Sequence, residues 1–150
     1  MILGFASDHR GFKLKSELIK YFSENGYNTI DYGTNSEESC DYPDFAFKLG
    51  NGITSGDVNY GIAICGSGIG ISIAMNKIKG VYCAKVDNLE EARYTRLDND
   101  TNCVAFGEKM KLKEAIDIIN TFVHTEFSRL EKHQRRINKV KQIENGEYNG

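Results

Sequence analysis

The sequence predicts an α/β fold: an open, five-stranded parallel sheet with helices on both faces, three layers in all. Three observations predict it. Short apolar runs alternate with segments of helical periodicity five times along the chain, at spacings that suit right-handed crossovers between parallel strands. The central run, Tyr60 to Ile64, is apolar without alternation, as a strand covered on both faces requires. At 150 residues and 40% hydrophobic content the chain is long enough for one core and short for two, so residues 1–150 are expected to be a single domain.

The elements follow in order. Ile2 to Ala6 reads as a strand, Ser7-Asp8-His9-Arg10-Gly11 as a polar loop, and Phe12, Leu14, Leu18, Ile19 and Phe22 recur at helical spacing. Asn25-Gly26 closes that helix, and Tyr27 to Tyr32 reads as a second strand ending at Gly33. Thr34 to Asp41 is polar and turn-rich, while Pro43, the only proline, suits the first turn of a helix carrying Phe45, Ala46, Leu49 and Ile53. After the third strand, Gly66 to Gly70 turns the chain into a short helix from about Ile71, ended by Gly80. Val81 to Val86 supplies a fourth strand, with Asp87-Asn88 and Glu90-Glu91 giving an N-cap and first-turn acids to a helix that runs to about Leu97. Asp98 to Asn102 reads as a loop, Cys103 to Phe106 as a fifth strand stopped by Gly107, and Leu112, Ala115, Ile116 and Ile119 as the stripe of a fifth helix. A strongly charged helix is expected over about 130–143, and residues 145–150 as a frayed tail.

Composition narrows the function. A net charge of -2 gives no general drive toward nucleic acid or anionic membranes, and neither is expected as a partner. The apolar runs are of strand length and Met1-Ile2-Leu3-Gly4 lacks the regions of a signal peptide, which points to the cytoplasm. Cysteines at 40, 65, 83 and 103 show no C-x-x-C and no zinc-type pairing with histidine, so reduced thiols are expected and no metal.

In an open parallel sheet ligands bind beyond the carboxyl ends of the strands, so the residues just after each strand decide the chemistry. Within YGIAICGSGIGISIAMNKIK, Tyr60 to Lys79, Cys65 stands where the strand stops, and the helix after the glycine turn offers unpaired N–H groups and the positive end of its dipole. An anion or a developing oxyanion could be held there, and the same field favours a thiolate. The bland alternative is a small buried side chain at a strand end and a tight connection. Dinucleotide binding also competes, with Asp87 lying 21 residues after Gly66, but G-x-G-x-x-G needs glycine at 71 and the chain has Ile71. Asp8 and His9 follow the first strand, Asp87-Asn88 the fourth, and Gly107-Glu108-Lys109 the fifth. Taken alone, Asp8 reads equally as a helix N-cap and His9 as a surface residue. Lys132, His133, Arg135 and Arg136 read as a solvated face, unless the last helix folds back over the strand ends, where Lys132 and Arg136 could hold a phosphate.

Across nearly the whole chain the sequence resembles the type B ribose-5-phosphate isomerases, in the sugar-phosphate isomerase family that also includes galactose-6-phosphate isomerase subunits. The likeness rests on SDHRGFKLK, IDYGT, DYPDFA, ICGSGIGISIAMNKIKG, RLDNDTN, VAFGEK and HQRRI. It implies a Rossmann-like sheet, a homodimer whose sites take residues from both subunits, with two dimers forming a tetramer as the further option, and aldose–ketose isomerisation of a phosphosugar with no cofactor. By position, Cys65 resembles the general base between C1 and C2, Gly66, Ser67, Gly68, Ile69 and Gly70 the anion hole for the enediolate, and Ser67 a proton relay. Asp8, Tyr42 and Asn99 resemble substrate contacts; His9 and Arg136 resemble phosphate contacts.

Three positions depart from the family pattern. Its ring-opening histidine is Asp98 here, and two phosphate-binding arginines are Lys109 and Lys132, which keep the charge without the bidentate fork. The expected reaction is therefore ribose 5-phosphate to ribulose 5-phosphate through an enediolate. A tetrose 4-phosphate, a hexose 6-phosphate or a non-catalytic sugar-phosphate binder are the alternatives.

Overall fold

Five strands and six helices alternate in the computed structural model, which describes residues 1–150 throughout. They are β1 (Ile2–Ser7), α1 (Phe12–Glu24), β2 (Asn28–Asp31), α2 (Tyr42–Thr54), β3 (Tyr60–Cys65), α3 (Ile69–Asn76), β4 (Cys83–Lys85), α4 (Leu89–Asn99), β5 (Cys103–Gly107), α5 (Leu112–His124) and α6 (Glu131–Glu144). The strands pair in parallel in the order β2-β1-β3-β5-β4, so the expected fold class is the one observed. No helix is long and apolar enough to cross a membrane.

Strand alternation sorts the core into two unequal layers. Leu3 and Phe5, Ile62 and Ile64, Val104 and Phe106 point to one face and pack with Leu18 and Phe22 of α1 and Ile119 and Phe122 of α5. The other face carries Ala6, Ala63, Cys65, Cys103 and Ala105 beneath Leu49 of α2 and Ile71 and Met75 of α3. Small residues on this second face let the helices approach closely, and Cys65 belongs to that row. Burial pushes the Cys103 thiol, aligned with Cys83 on the next strand, well above its ordinary range.

Chain order reverses between β1 and β3, because β2 lies on one side of β1 and β3 on the other. The register sets Ser7 level with Ile64 and Cys65 level with Gly107, which brings the residues following β1, β3 and β5 together at one end of the sheet.

Several boundaries differ from the sequence reading. Strand β2 is shorter, since Tyr27 turns onto Phe22 with ring centroids 5.3 Å apart. Strand β4 is an edge of three residues, Val81 being held in a turn by its N–H bond to Ile78. Helix α3 starts at Ile69 because Gly68 makes the turn alone, in the left-handed region. Helix α4 does not stop at Leu97: it runs through Asp98 and Asn99, and ends where Asp100 takes φ 50° and its N–H returns to Arg96. Buried Arg96 fixes this end through the carbonyls of Thr101 and Thr125 and the Asp100 carboxylate.

Helix α6 buries no residue. It is tied down by Glu144, whose carboxylate accepts from the Gly80 N–H at 3.0 Å and the Tyr82 hydroxyl at 2.6 Å; burial, then this bond, pushes the Tyr82 phenol up to about 12. Gly80 and Tyr82 precede β4, so α6 lies toward the amino end of the sheet and does not fold back over the carboxyl ends of its own strands. In the tail, Gly146 and Glu147 donate back to Ile143 and Gln142.

Candidate active site

Beyond the carboxyl ends of β1, β3 and β5 lies a cavity of about 730 Å³. Asp8, Arg10, Tyr42, Cys65, Gly66, Ser67, Gly70, Asp87, Gly107, Lys109 and Met110 line it. Cys65 reaches its floor only 4% exposed, and the Gly68 N–H donates to its Sγ at 3.2 Å. A thiolate accepts such a bond better than a thiol, so the donor is aimed where negative charge would sit.

The turn itself depends on glycine. Gly68 has φ 81°, and a Cβ there would stand 2.7 Å from the Phe106 carbonyl carbon in central strand β5. At Gly70 a Cβ would meet the Tyr42 ring at 2.7 Å, so Tyr42, the first residue of α2, lies directly on the turn. Two of the five N–H groups expected to form an anion hole are already engaged: Gly68 on Cys65, and Ile69 on Ser67 Oγ at 3.1 Å. Those of Gly66, Ser67 and Gly70 have no acceptor within the protein. Ser67 Oγ accepts and keeps its own hydrogen free to donate.

Asp8, 6% exposed, is shaped by its local loop: Oδ1 accepts from the Arg10 and Gly11 N–H groups at 3.0 and 3.1 Å, which holds the carboxylate at the cavity wall. His9 lies in an adjoining cavity of about 690 Å³. Its Nδ1 accepts from the Cys40 N–H at 3.2 Å, which leaves Nε2 as the donor of the neutral ring. Lys109 lines both cavities. Arg10 forms a two-pronged pair with Glu108, Nε to Oε2 at 3.1 Å and Nη2 to Oε1 at 2.7 Å. Those hydrogen bonds hold the Glu108 carboxyl below the usual carboxylate range and raise Arg10.

The protomer does not bring every expected residue here. Asp98 sits 3.5 Å from His133 Nε2, while His133 Nδ1 meets Ser128 Oγ at 2.7 Å. Asn99 lines a separate cavity beneath Ile137 and Val140 of α6. Lys132 and Arg136 are exposed on α6. All four lie toward the amino end of the sheet. Conversely, Arg10 and Met110 line the cavity although the sequence reading assigns them no role, and Gly107 and Asp87 join them, residues for which that reading names no contact with a sugar phosphate. For Arg10 the available signal was its place directly after Asp8-His9 at the end of β1.

Known proteins resemble the chain in sequence and in fold. The profile of a family described as Ribose/Galactose Isomerase matches residues 3–140. Ribose-5-phosphate isomerase B of Escherichia coli (strain K12) is 37% identical over 143 residues, covering 95% of each chain. A ribose-5-phosphate isomerase B structure from Clostridium thermocellum superposes with a TM-score of 0.94 at 42% identity, over 97% of this chain and 99% of that one. One from Mycoplasma genitalium, with bound ribulose-5-phosphate, gives a TM-score of 0.89 at 33% identity over 96% of each. With a match that spans all five strands and the glycine turn that cups Cys65, the chain belongs to the ribose/galactose isomerase family.

Proposed function

We propose that the protein interconverts ribose 5-phosphate and ribulose 5-phosphate, with Cys65 as the base. Family membership makes it an aldose–ketose isomerase of sugar phosphates; the substrate and the roles below are the proposal. One observation carries the base assignment: a single thiol, with an N–H aimed at its sulfur, closes the floor of a cavity next to three unengaged backbone donors. Proton abstraction next to a carbonyl needs that combination of base and oxyanion donors.

In the forward direction the Cys65 thiolate takes the proton from C2 of the open-chain aldose. The C2–H electron pair becomes the C1–C2 double bond, and the carbonyl pair moves onto O1. Donors at Gly66, Ser67 and Gly70 hold the resulting enediolate. The Ser67 hydroxyl passes the O2 proton to O1, and the thiol returns its proton to C1, which completes the ketose. Asp8 and Tyr42 orient the hydroxyls, while Lys109 and His9 face the phosphate end.

The site is completed by a second copy of the chain in a homodimer, which supplies Asn99, Lys132 and Arg136 from the ends of α4 and α6. Asp98 favours one specific second reading: a tetrose 4-phosphate cannot close a furanose ring, because the hydroxyl that would close it carries the phosphate, and so needs no ring-opening histidine.

Turnover in deuterium oxide tests the base. Cys65→Ala should lower turnover and deuterium incorporation at C1 or C2 by roughly 10²- to 10⁴-fold, as general bases typically contribute, with little change in substrate binding. Near-normal exchange in the alanine variant would remove Cys65 from the mechanism.

A further inference from the structure

Arg10, Lys109 and Met110 are the residues common to the walls of the active-site cavity and the one beside it. The remaining charged side chains on the first wall, Asp8 and Asp87, are carboxylates, so within one protomer the cationic side chains that can meet a phosphate dianion there are Arg10 and Lys109. Of these two cations Arg10 is the one held in place. Glu108 grips one edge of its guanidinium at 3.1 and 2.7 Å, and its flank rests on Gly66, with Cζ 3.3 Å from where a Cβ would stand. Nη1 has no partner in the protein, and a guanidinium gripped along one edge keeps donors along another. A fixed planar fork suits two phosphate oxygens in a way that the point charge of Lys109 does not.

We propose that Arg10, oriented by Glu108, binds the substrate's phosphate group and sets the preference for phosphorylated over free sugars. This inference rests on the isomerase reading above. Its competitor is a surface ion pair of no consequence for the reaction, which the 55% exposure of the Arg10 side chain permits.

The test uses wild type, Arg10→Ala, Arg10→Lys and Glu108→Gln. Each is assayed on ribose 5-phosphate and on free ribose, and titrated calorimetrically with inorganic phosphate. Loss of a hydrogen bond to a charged group predicts that Arg10→Ala raises KM for ribose 5-phosphate, and Kd for inorganic phosphate, roughly 10- to 100-fold. The loss on ribose 5-phosphate should exceed that on free ribose at least about tenfold, with Arg10→Lys intermediate, since lysine keeps the charge without the fork. Glu108→Gln should fall between wild type and Arg10→Lys. Equal losses on both sugars, or unchanged KM and Kd, would overturn the proposal. If the wild type turned over neither sugar, the isomerase reading would fail by itself. The phosphate titration would still decide the role of Arg10: weaker binding in Arg10→Ala supports it, and unchanged binding refutes it.

Discussion

Gly68→Ala separates backbone strain from packing at the active-site turn, because Gly56 provides the matched control. Both glycines have positive φ, 81° and 84°, yet a Cβ at Gly56 meets nothing within 4 Å. A left-handed alanine costs roughly 1–2 kcal/mol, partly offset by the roughly 0.4–1 kcal/mol gained from a less flexible unfolded chain. Gly56→Ala should therefore lower Tm by only about 2–4 °C for a domain of this size. At Gly68 the new Cβ would lie 2.7, 2.8 and 3.0 Å from the C, Cα and O atoms of Phe106. These are backbone atoms of β5, flanked by β3 and β4, and cannot rotate aside, so the turn itself must shift. Overpacking of this kind adds typically 1–3 kcal/mol, which takes the total Tm loss to roughly 5–15 °C. The same shift draws the Gly68 N–H away from the Cys65 sulfur and tilts its neighbours. Loss of one oxyanion donor alone costs roughly 10²- to 10³-fold in turnover, so kcat should fall by at least about 100-fold while Gly56→Ala stays near wild type. Differential scanning calorimetry and steady-state kinetics on the two variants decide it. A Gly68→Ala protein melting within about 2 °C of Gly56→Ala with undiminished kcat would refute both the strain and the donor argument.

Two further outcomes are expected. Mixing inactive Cys65→Ala with inactive Asn99→Ala should restore part of the activity, since a hybrid dimer keeps one intact composite site; no recovery after subunit exchange, verified by mass spectrometry, would count against a shared site. Asp98→His should raise turnover on ribose 5-phosphate and leave an acyclic tetrose 4-phosphate nearly unaffected, as coupled assays on the two sugars would record. Loss on both would mean that Asp98 has a role of its own that histidine does not fill.

Local signals carried most of the fold. Continuous apolar runs such as Tyr60 to Ile64 mark strands covered on both faces, and the glycines and Asn88 mark the turns; which residues face which layer, Ile62 and Ile64 to one and Ala63 and Cys65 to the other, is visible only in the structure. The reading failed where tertiary partners override local pattern. Asp98-Asn99-Asp100 looks like a loop by composition, but Arg96, buried against Tyr60 and Phe122, anchors the end of α4 and keeps the helix going to Asn99. Arg10 escaped notice for a related reason: its partner Glu108 is 98 residues away, and only the adjacency of β1, β3 and β5 brings the two together.

The candidate site divides along the same line, and the division has a topological cause. A parallel βα unit runs its helix back against the strand, so residues just after a strand gather at the carboxyl end of the sheet, while residues at a helix C-terminus return to the amino end. Asp8, Cys65 to Gly70 and Lys109 are of the first kind and meet in one cavity; Asp98 and Asn99, in the last turn of α4, are of the second, and α6 is tied to the same end through Glu144. No rotamer change carries a side chain from one end of the sheet to the other, since β3 alone spans six residues, roughly 20 Å at about 3.3 Å each. If Asn99 and Arg136 touch the substrate, they reach it from another copy of the chain. The resemblance that assigns them to the substrate thereby becomes a statement about assembly: an obligate monomer that needs Asn99 for turnover is incompatible with this sheet.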